Sequence, residues 1–79
     1  MKRKILIVED NVGLSQMQKD WLARAGYDAV TAMSEPIARS LIRRMQFDLI
    51  LSDVRLPEGD GISLLEWLRK ERKDIPFII

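Results

Sequence analysis

Three carboxylates at the ends of two apolar runs are the residues of this chain best suited to chemistry. Ile5-Leu6-Ile7-Val8 runs into Glu9-Asp10, and Phe47-Asp48-Leu49-Ile50-Leu51-Ser52 runs into Asp53. Short, continuous β-branched and leucine runs suit strands buried on both faces, as in a parallel sheet. Two such strands side by side would deliver Glu9, Asp10 and Asp53 to one sheet edge. Three acids crowded together are costly unless a cation or a proton joins them. The pattern therefore points to a divalent metal site with a reactive aspartate. The chain has no cysteine and no histidine. Ligands must then be oxygens, which favours Mg2+, Mn2+ or Ca2+ over Zn2+. The lack of histidine also removes the commonest general base.

Each acid has a blander reading. Asp10 or Asn11 could cap the helix that follows. Asp53 could be a loop acid paired with Arg55. Asp60 reads as an N-cap, and Trp21 and Trp67 read as packing residues. The coincidence of acids at two strand ends in one short chain is what favours a site.

The elements that must position these acids alternate along the chain. After the first strand, Leu14, Met17, Trp21, Leu22 and Ala25 make one helical face, and Gly26 suits the position just past the helix end. Tyr27 to Ala32 is a weaker second strand. Ser34 caps a second helix with Pro36 in its first turn. Its stripe is Ile37, Ala38, Leu41, Ile42 and Met45, with Arg39, Arg43 and Arg44 near the solvent side. Phe47 to Ser52 is the third strand, and Pro57, Gly59 and Gly61 mark a loop. A third helix runs from Gly61 to about Lys70, with Ile62, Leu64, Leu65 and Leu68 inward. Arg69, Lys70, Arg72 and Lys73 read as cations opposing the dipole at its end. Pro76-Phe77-Ile78-Ile79 opens a fourth strand.

The order β-α-β-α-β-α-β predicts an α/β fold with a parallel sheet and right-handed crossovers. If the first and third strands are neighbours, the strand order is 2-1-3-4. Glu9, Asp10 and Asp53 then meet beyond the carboxyl ends of the strands, where ligands gather in open sheets. The first helix would cover one face, and the second and third helices the other.

Bulk properties exclude other classes. With 79 residues there is room for one domain, and a core of that size is marginal alone. Thirteen basic and twelve acidic residues give a net charge of +1, which is no footprint for nucleic acid. No window approaches a membrane span and no signal peptide is apparent, so the chain reads as soluble and cytoplasmic. There is no G-x-x-x-x-G-K-[ST] loop, and no G-x-G-x-x-G follows the first strand.

Two segments carry a family resemblance. Lys4-Ile5-Leu6-Ile7-Val8-Glu9-Asp10-Asn11 and Asp48-Leu49-Ile50-Leu51-Ser52-Asp53-Val54-Arg55-Leu56-Pro57-Glu58-Gly59-Asp60-Gly61 closely resemble the receiver domain of bacterial two-component response regulators. The resemblance runs over the whole chain, including Gly26-Tyr27 and Ile75 to Ile79. It implies a flavodoxin-like fold of which residues 1–79 are a part, without the last third. It implies that Asp53 is the phosphoacceptor and that a sensor histidine kinase is the partner. It implies that Glu9, Asp10, Asp53 and the backbone carbonyl of Arg55 hold Mg2+ or Mn2+. The family's Ser/Thr and Lys at later strand ends would lie beyond Ile79. The Leu56-Pro57-x-x-Asp60-Gly61 loop is similar to receivers fused to transcription activators of the nitrogen-regulation type.

The resemblance implies a switch module rather than a turnover enzyme. Alternatives are a degenerate receiver that only binds a partner, or an aspartyl-nucleophile phosphatase. The latter resembles D-x-D on the first strand, which reads Glu9-Asp10-Asn11 here. A flavin-binding flavodoxin would need a hydroxyl- and glycine-rich first loop. An uncovered face and an edge at the fourth strand predict self-association of the 79 residues alone.

Overall fold

The computed structural model describes residues 2–71 and 74–79. In chain order the elements are β1 (Lys4–Val8), α1 (Val12–Arg24), β2 (Asp28–Ala32), α2 (Glu35–Arg44), β3 (Leu49–Ser52), β4 (Arg55–Leu56), β5 (Gly59–Asp60), α3 (Gly61–Glu71) and β6 (Phe77–Ile78). Four strands form a parallel sheet in the order β2-β1-β3-β6. This is the expected 2-1-3-4 arrangement, with β6 as the fourth strand of the sheet. The segment read as a plain loop holds a small antiparallel hairpin, β4–β5, set apart from the main sheet.

The helix starts follow the capping chemistry expected of them. Asn11 accepts the Leu14 N–H at 2.9 Å, so Asn11 rather than Asp10 caps α1. Ser34 accepts the Ile37 N–H, with Pro36 in the first turn of α2. Asp60 accepts the Ser63 N–H at 2.6 Å and caps α3. Gly26 follows α1 at φ 94°, a left-handed conformation that glycine adopts without cost.

Alternation along β1 serves both faces of the sheet. Leu6 and Val8, with Ile50 of β3, pack against Ala38 and Ile42 of α2 and Leu64 and Leu68 of α3. Full burial of each leucine or isoleucine there contributes about 1.5–3 kcal/mol. Ile5 and Ile7 point to the opposite face, which α1 covers in part.

The stripe expected of α1 is not what the helix buries. Ser15 is its buried residue, and Leu22 is half-buried. Leu14 and Met17 are exposed, and Trp21 is 59% exposed. The helix seats on the sheet through Ser15 and Leu22. The flank carrying Leu14, Met17 and Trp21 has no described element opposite it. Ile37 and Ile62, read as inward-facing, are also exposed. Trp67 does pack against the core, and it carries the guanidinium groups of both Arg39 and Arg43, each 5.3 Å from its ring centre. Arg43 is exposed and Arg39 half-buried, so both lie toward the solvent side as expected while stacking on the Trp67 ring. Of the cations at the end of α3, Arg72 and Lys73 lie outside the described residues. Among the described residues no helix is long and apolar enough to cross a membrane.

Candidate metal and phosphoryl site

β1 and β3 run in register to their last pair, Val8 opposite Ser52. The next residues, Glu9 and Asp53, therefore leave the sheet side by side. The ladder continues through both. The Asp53 N–H donates to the Val8 carbonyl at 3.0 Å, and the Glu9 N–H donates to the Ala32 carbonyl at 2.9 Å. Carboxylate oxygens of Glu9, Asp10 and Asp53 all lie within 4.8 Å of one another. The three residues that the sequence singled out thus converge. Two unit charges at that spacing repel by roughly 3 kcal/mol at an effective dielectric of 20, and by less where water screens them. Glu9 is buried, whereas Asp10 and Asp53 are exposed. Screening is therefore weakest for one member of the trio.

Local hydrogen bonds orient these side chains. One oxygen of Glu9 accepts the Asn11 N–H at 3.1 Å. Asp53 Oδ1 accepts the Val54 N–H at 2.8 Å. Its second oxygen takes no hydrogen bond among the described residues, and the residue as a whole is exposed. The alternative pairing of Asp53 with Arg55 does not form. The described ion pairs are Lys4–Asp28 and Glu35–Arg39. A cleft lined by Val8, Glu9, Gln18, Ser52, Asp53 and Ile78, among others, opens beside the acids.

The chain after Asp53 is built tightly. Ser52 Oγ donates to the Asp53 carbonyl at 2.8 Å, and the Gly61 N–H donates to the Val54 carbonyl at 2.7 Å. A Cβ at position 61 would stand 2.4 Å from the Asp53 carbonyl oxygen, so only glycine allows this approach. Pro57 and Glu58 turn the hairpin. Proline presets the first central position, and Glu58 takes the positive φ, 59°, that a type II turn needs at the second. The Gly61–Val54 bond has a further consequence. It makes Arg55 and Asp60 a non-hydrogen-bonded pair, so their N–H and C=O groups point outward from the hairpin. On the β5 side the Asp60 N–H reaches Glu35 Oε1 at 2.9 Å. On the β4 side the Arg55 carbonyl is left unused by the hairpin.

An all-oxygen donor set, with one buried carboxylate and two exposed ones, is chemically suited to a hard divalent cation. Residues 5–79 match the response regulator receiver domain family. The chain belongs to that family. The receiver domain of HemR from Leptospira biflexa is 41% identical, with a TM-score of 0.90 over 96% of this chain and 61% of its own. Response regulator TrrA from Thermotoga maritima, solved in complex with Mg2+ and BeF, is 27% identical, with a TM-score of 0.93 over 98% of this chain and 67% of its own. The polar-differentiation response regulator DivK of Brucella ovis is 35% identical over 80 residues, which cover 99% of this chain and 65% of DivK. The response regulator protein PilR of Pseudomonas aeruginosa is 33% identical over 75 residues, only 17% of its length. The chain thus spans a part of each relative it matches.

Sequence reasoning overlooked the hairpin and Glu35. An acid in the first turn of a helix ordinarily reads as a partner of the helix dipole. The sequence carried no signal for the contact: Gly59 reads as a loop glycine, and only the fold shows that a Cβ there would collide with the Glu35 carboxylate.

Proposed function

We propose that this receiver accepts a phosphoryl group on Asp53 from a phosphohistidine of a sensor histidine kinase. The observation that carries the reading is the convergence of Glu9, Asp10 and Asp53 at the carboxyl ends of β1 and β3. An Asp53 carboxylate oxygen attacks phosphorus, the phosphorus–nitrogen bond breaks, and the imidazole leaves. Such a transfer needs in-line positioning and charge neutralisation more than covalent help. Asp53 suits the part of nucleophile because the Val54 N–H orients one oxygen, the other takes no hydrogen bond among the described residues, and the residue is exposed.

Glu9, Asp10, Asp53 and the outward carbonyl of Arg55 would hold Mg2+, or Mn2+ in its place. When bound, the cation offsets repulsion between the carboxylate and the incoming phosphoryl oxygens. The Mg2+ and BeF complex of the similar TrrA supports this assignment. Residues 1–79 are, in this reading, part of a receiver domain that works in the cytoplasm as a switch rather than as a turnover enzyme. The output is transcriptional, a reading that rests on the Leu56-Pro57-x-x-Asp60-Gly61 loop.

In the native protein, Asp53→Asn should abolish labelling by acetyl phosphate. Label retained in that variant counts against Asp53. Asp10→Asn should weaken Mg2+ binding by at least tenfold in a calorimetric titration, and an unchanged affinity removes Asp10 from the ligand set. The exposed flank of Trp21 and Met17, with Ile78 at 53% and Ile79 at 51% exposure, also supports self-association of the 79 residues alone. Light scattering that finds a folded monomer would end that expectation.

A further inference from the structure

A carboxylate far from the acid cluster holds the chain that follows Asp53. Glu35 opens α2, yet it is only 4% exposed. Burying a carboxylate is costly unless its oxygens find partners. Glu35 Oε1 accepts the Asp60 N–H at 2.9 Å, a hydrogen bond that joins residues 25 apart in sequence. Oε2 is paired with the Arg39 guanidinium one turn further along α2. Position 59 has no side chain, which leaves the space that Oε1 occupies. One carboxylate oxygen therefore ties the hairpin to α2, and the other is paired within α2 itself.

The direction of that hold matters. Arg55 and Asp60 face each other across the hairpin with their polar backbone groups turned outward. Glu35 grips the outer side of β5. The Arg55 carbonyl lies on the outer side of β4, two residues after Asp53. Pinning one edge of a two-residue hairpin fixes the other.

The geometry points to Glu35 as a positioning residue for the metal and phosphoryl site, acting through the β4–β5 hairpin on the Arg55 carbonyl. This rests on the metal reading above. Glu35 touches no reacting atom. Its charge is balanced by Arg39, whose guanidinium lies over Trp67 of α3. Arg39 Nε is buried without a hydrogen-bond partner, although the side chain as a whole is 37% exposed, and Glu35 is the carboxylate paired with its guanidinium. Loss of the carboxylate would thus release the Asp60 N–H and leave Arg39 poorly paired.

The test uses the native protein with Glu35→Ala and Glu35→Gln. Partners of this indirect kind typically change metal affinity by 10- to 100-fold. Glu35→Ala should weaken Mg2+ binding about tenfold by calorimetry and slow Asp53 labelling by acetyl phosphate at limiting Mg2+. Excess Mg2+ should restore the labelling rate; because Mg2+ also favours the folded state, circular dichroism of the metal-free variant must show it fully folded for this recovery to count. Glu35→Gln keeps an oxygen for the Asp60 N–H and should recover most of the affinity. Glu35→Ala that is folded by circular dichroism and binds Mg2+ as the wild type does overturns the proposal. If Glu35→Ala does not fold, Glu35→Gln decides. Its Mg2+ affinity should fall two- to threefold and its Asp60 amide should exchange faster; wild-type values for both overturn the proposal. Hydrogen exchange at Asp60 in metal-free protein tests the clamp by itself. A wild type that binds no Mg2+ but protects that amide would sink the metal reading and, with it, the role proposed for Glu35, while leaving the clamp as structure.

Discussion

The loop after β1 and the loop after β3 bring acids to the same point by different means. The first is short and self-sufficient. Glu9 accepts from Asn11, Asn11 accepts from Leu14, and α1 begins at once. Both side-chain acceptors take their N–H from within three residues, and the one distant bond, from the Glu9 N–H to the Ala32 carbonyl, continues the sheet ladder. The second loop carries Asp53 into a hairpin whose closing residue is tied to Glu35 on another helix. Its end folds back so closely that Gly61 meets the Asp53 carbonyl. Local bonds set the first geometry, whereas tertiary contacts set the second. The second should therefore be far less tolerant of change.

The glycine of the second loop offers the harshest test of this difference. Gly61→Ala places a methyl 2.4 Å from a backbone oxygen that cannot rotate away. Overpacking of this kind costs about 1–3 kcal/mol, occasionally more. We expect a loss at the upper end of that range in urea unfolding, together with weakened Mg2+ binding, because the Asp53 main chain must move. A variant with wild-type stability would show that the loop yields easily, and the contrast between the two loops would then fail.

Legibility followed the same division. The two acid-ended strands, the caps at Ser34 and Asp60, and the strand order were all readable, because each depends on nearby residues or on the alternation of elements, whereas the α1 cap was narrowed only to Asp10 or Asn11. The hairpin was not readable. Its strands have two residues each, too short for any alternation, and Pro57, Gly59 and Gly61 punctuate it like an ordinary loop. Glu35 was not readable either, since its partner is a main-chain N–H 25 residues away. The exposed flank of α1 was misread for a related reason. Periodicity shows that Leu14, Met17 and Trp21 share a face, but not whether another element lies against it.

The caps give an intermediate test. Asn11→Ala and Asp60→Ala each remove one side-chain acceptor at a helix start, worth about 1 kcal/mol. Their losses should be similar in urea melts. Their site effects should differ, because Asp60 also closes the hairpin. The main-chain bond from Asp60 to Glu35 survives the substitution to alanine, so Mg2+ affinity should fall by less than in Glu35→Ala. A larger fall would make the Asp60 side chain, rather than its N–H, the important contact.

The smallest expected effect is also the one of opposite sign. Gly13 sits in the first turn of α1, and a Cβ there would meet only Asn11 Oδ1, at an ordinary 3.5 Å. Glycine within a helix is less favourable than alanine by about 0.5–1 kcal/mol, and by less near an end. Gly13→Ala should therefore raise stability by up to about 0.5 kcal/mol. It should leave Mg2+ affinity unchanged, although it lies only three residues from Asp10. Glycine-to-alanine changes in the two loops would then move stability in opposite directions. Such a result ties the tolerance of each loop to the space around its backbone, and not to its distance from the acids. Destabilisation by Gly13→Ala would instead mean that the first loop, too, is held by contacts beyond its own few residues.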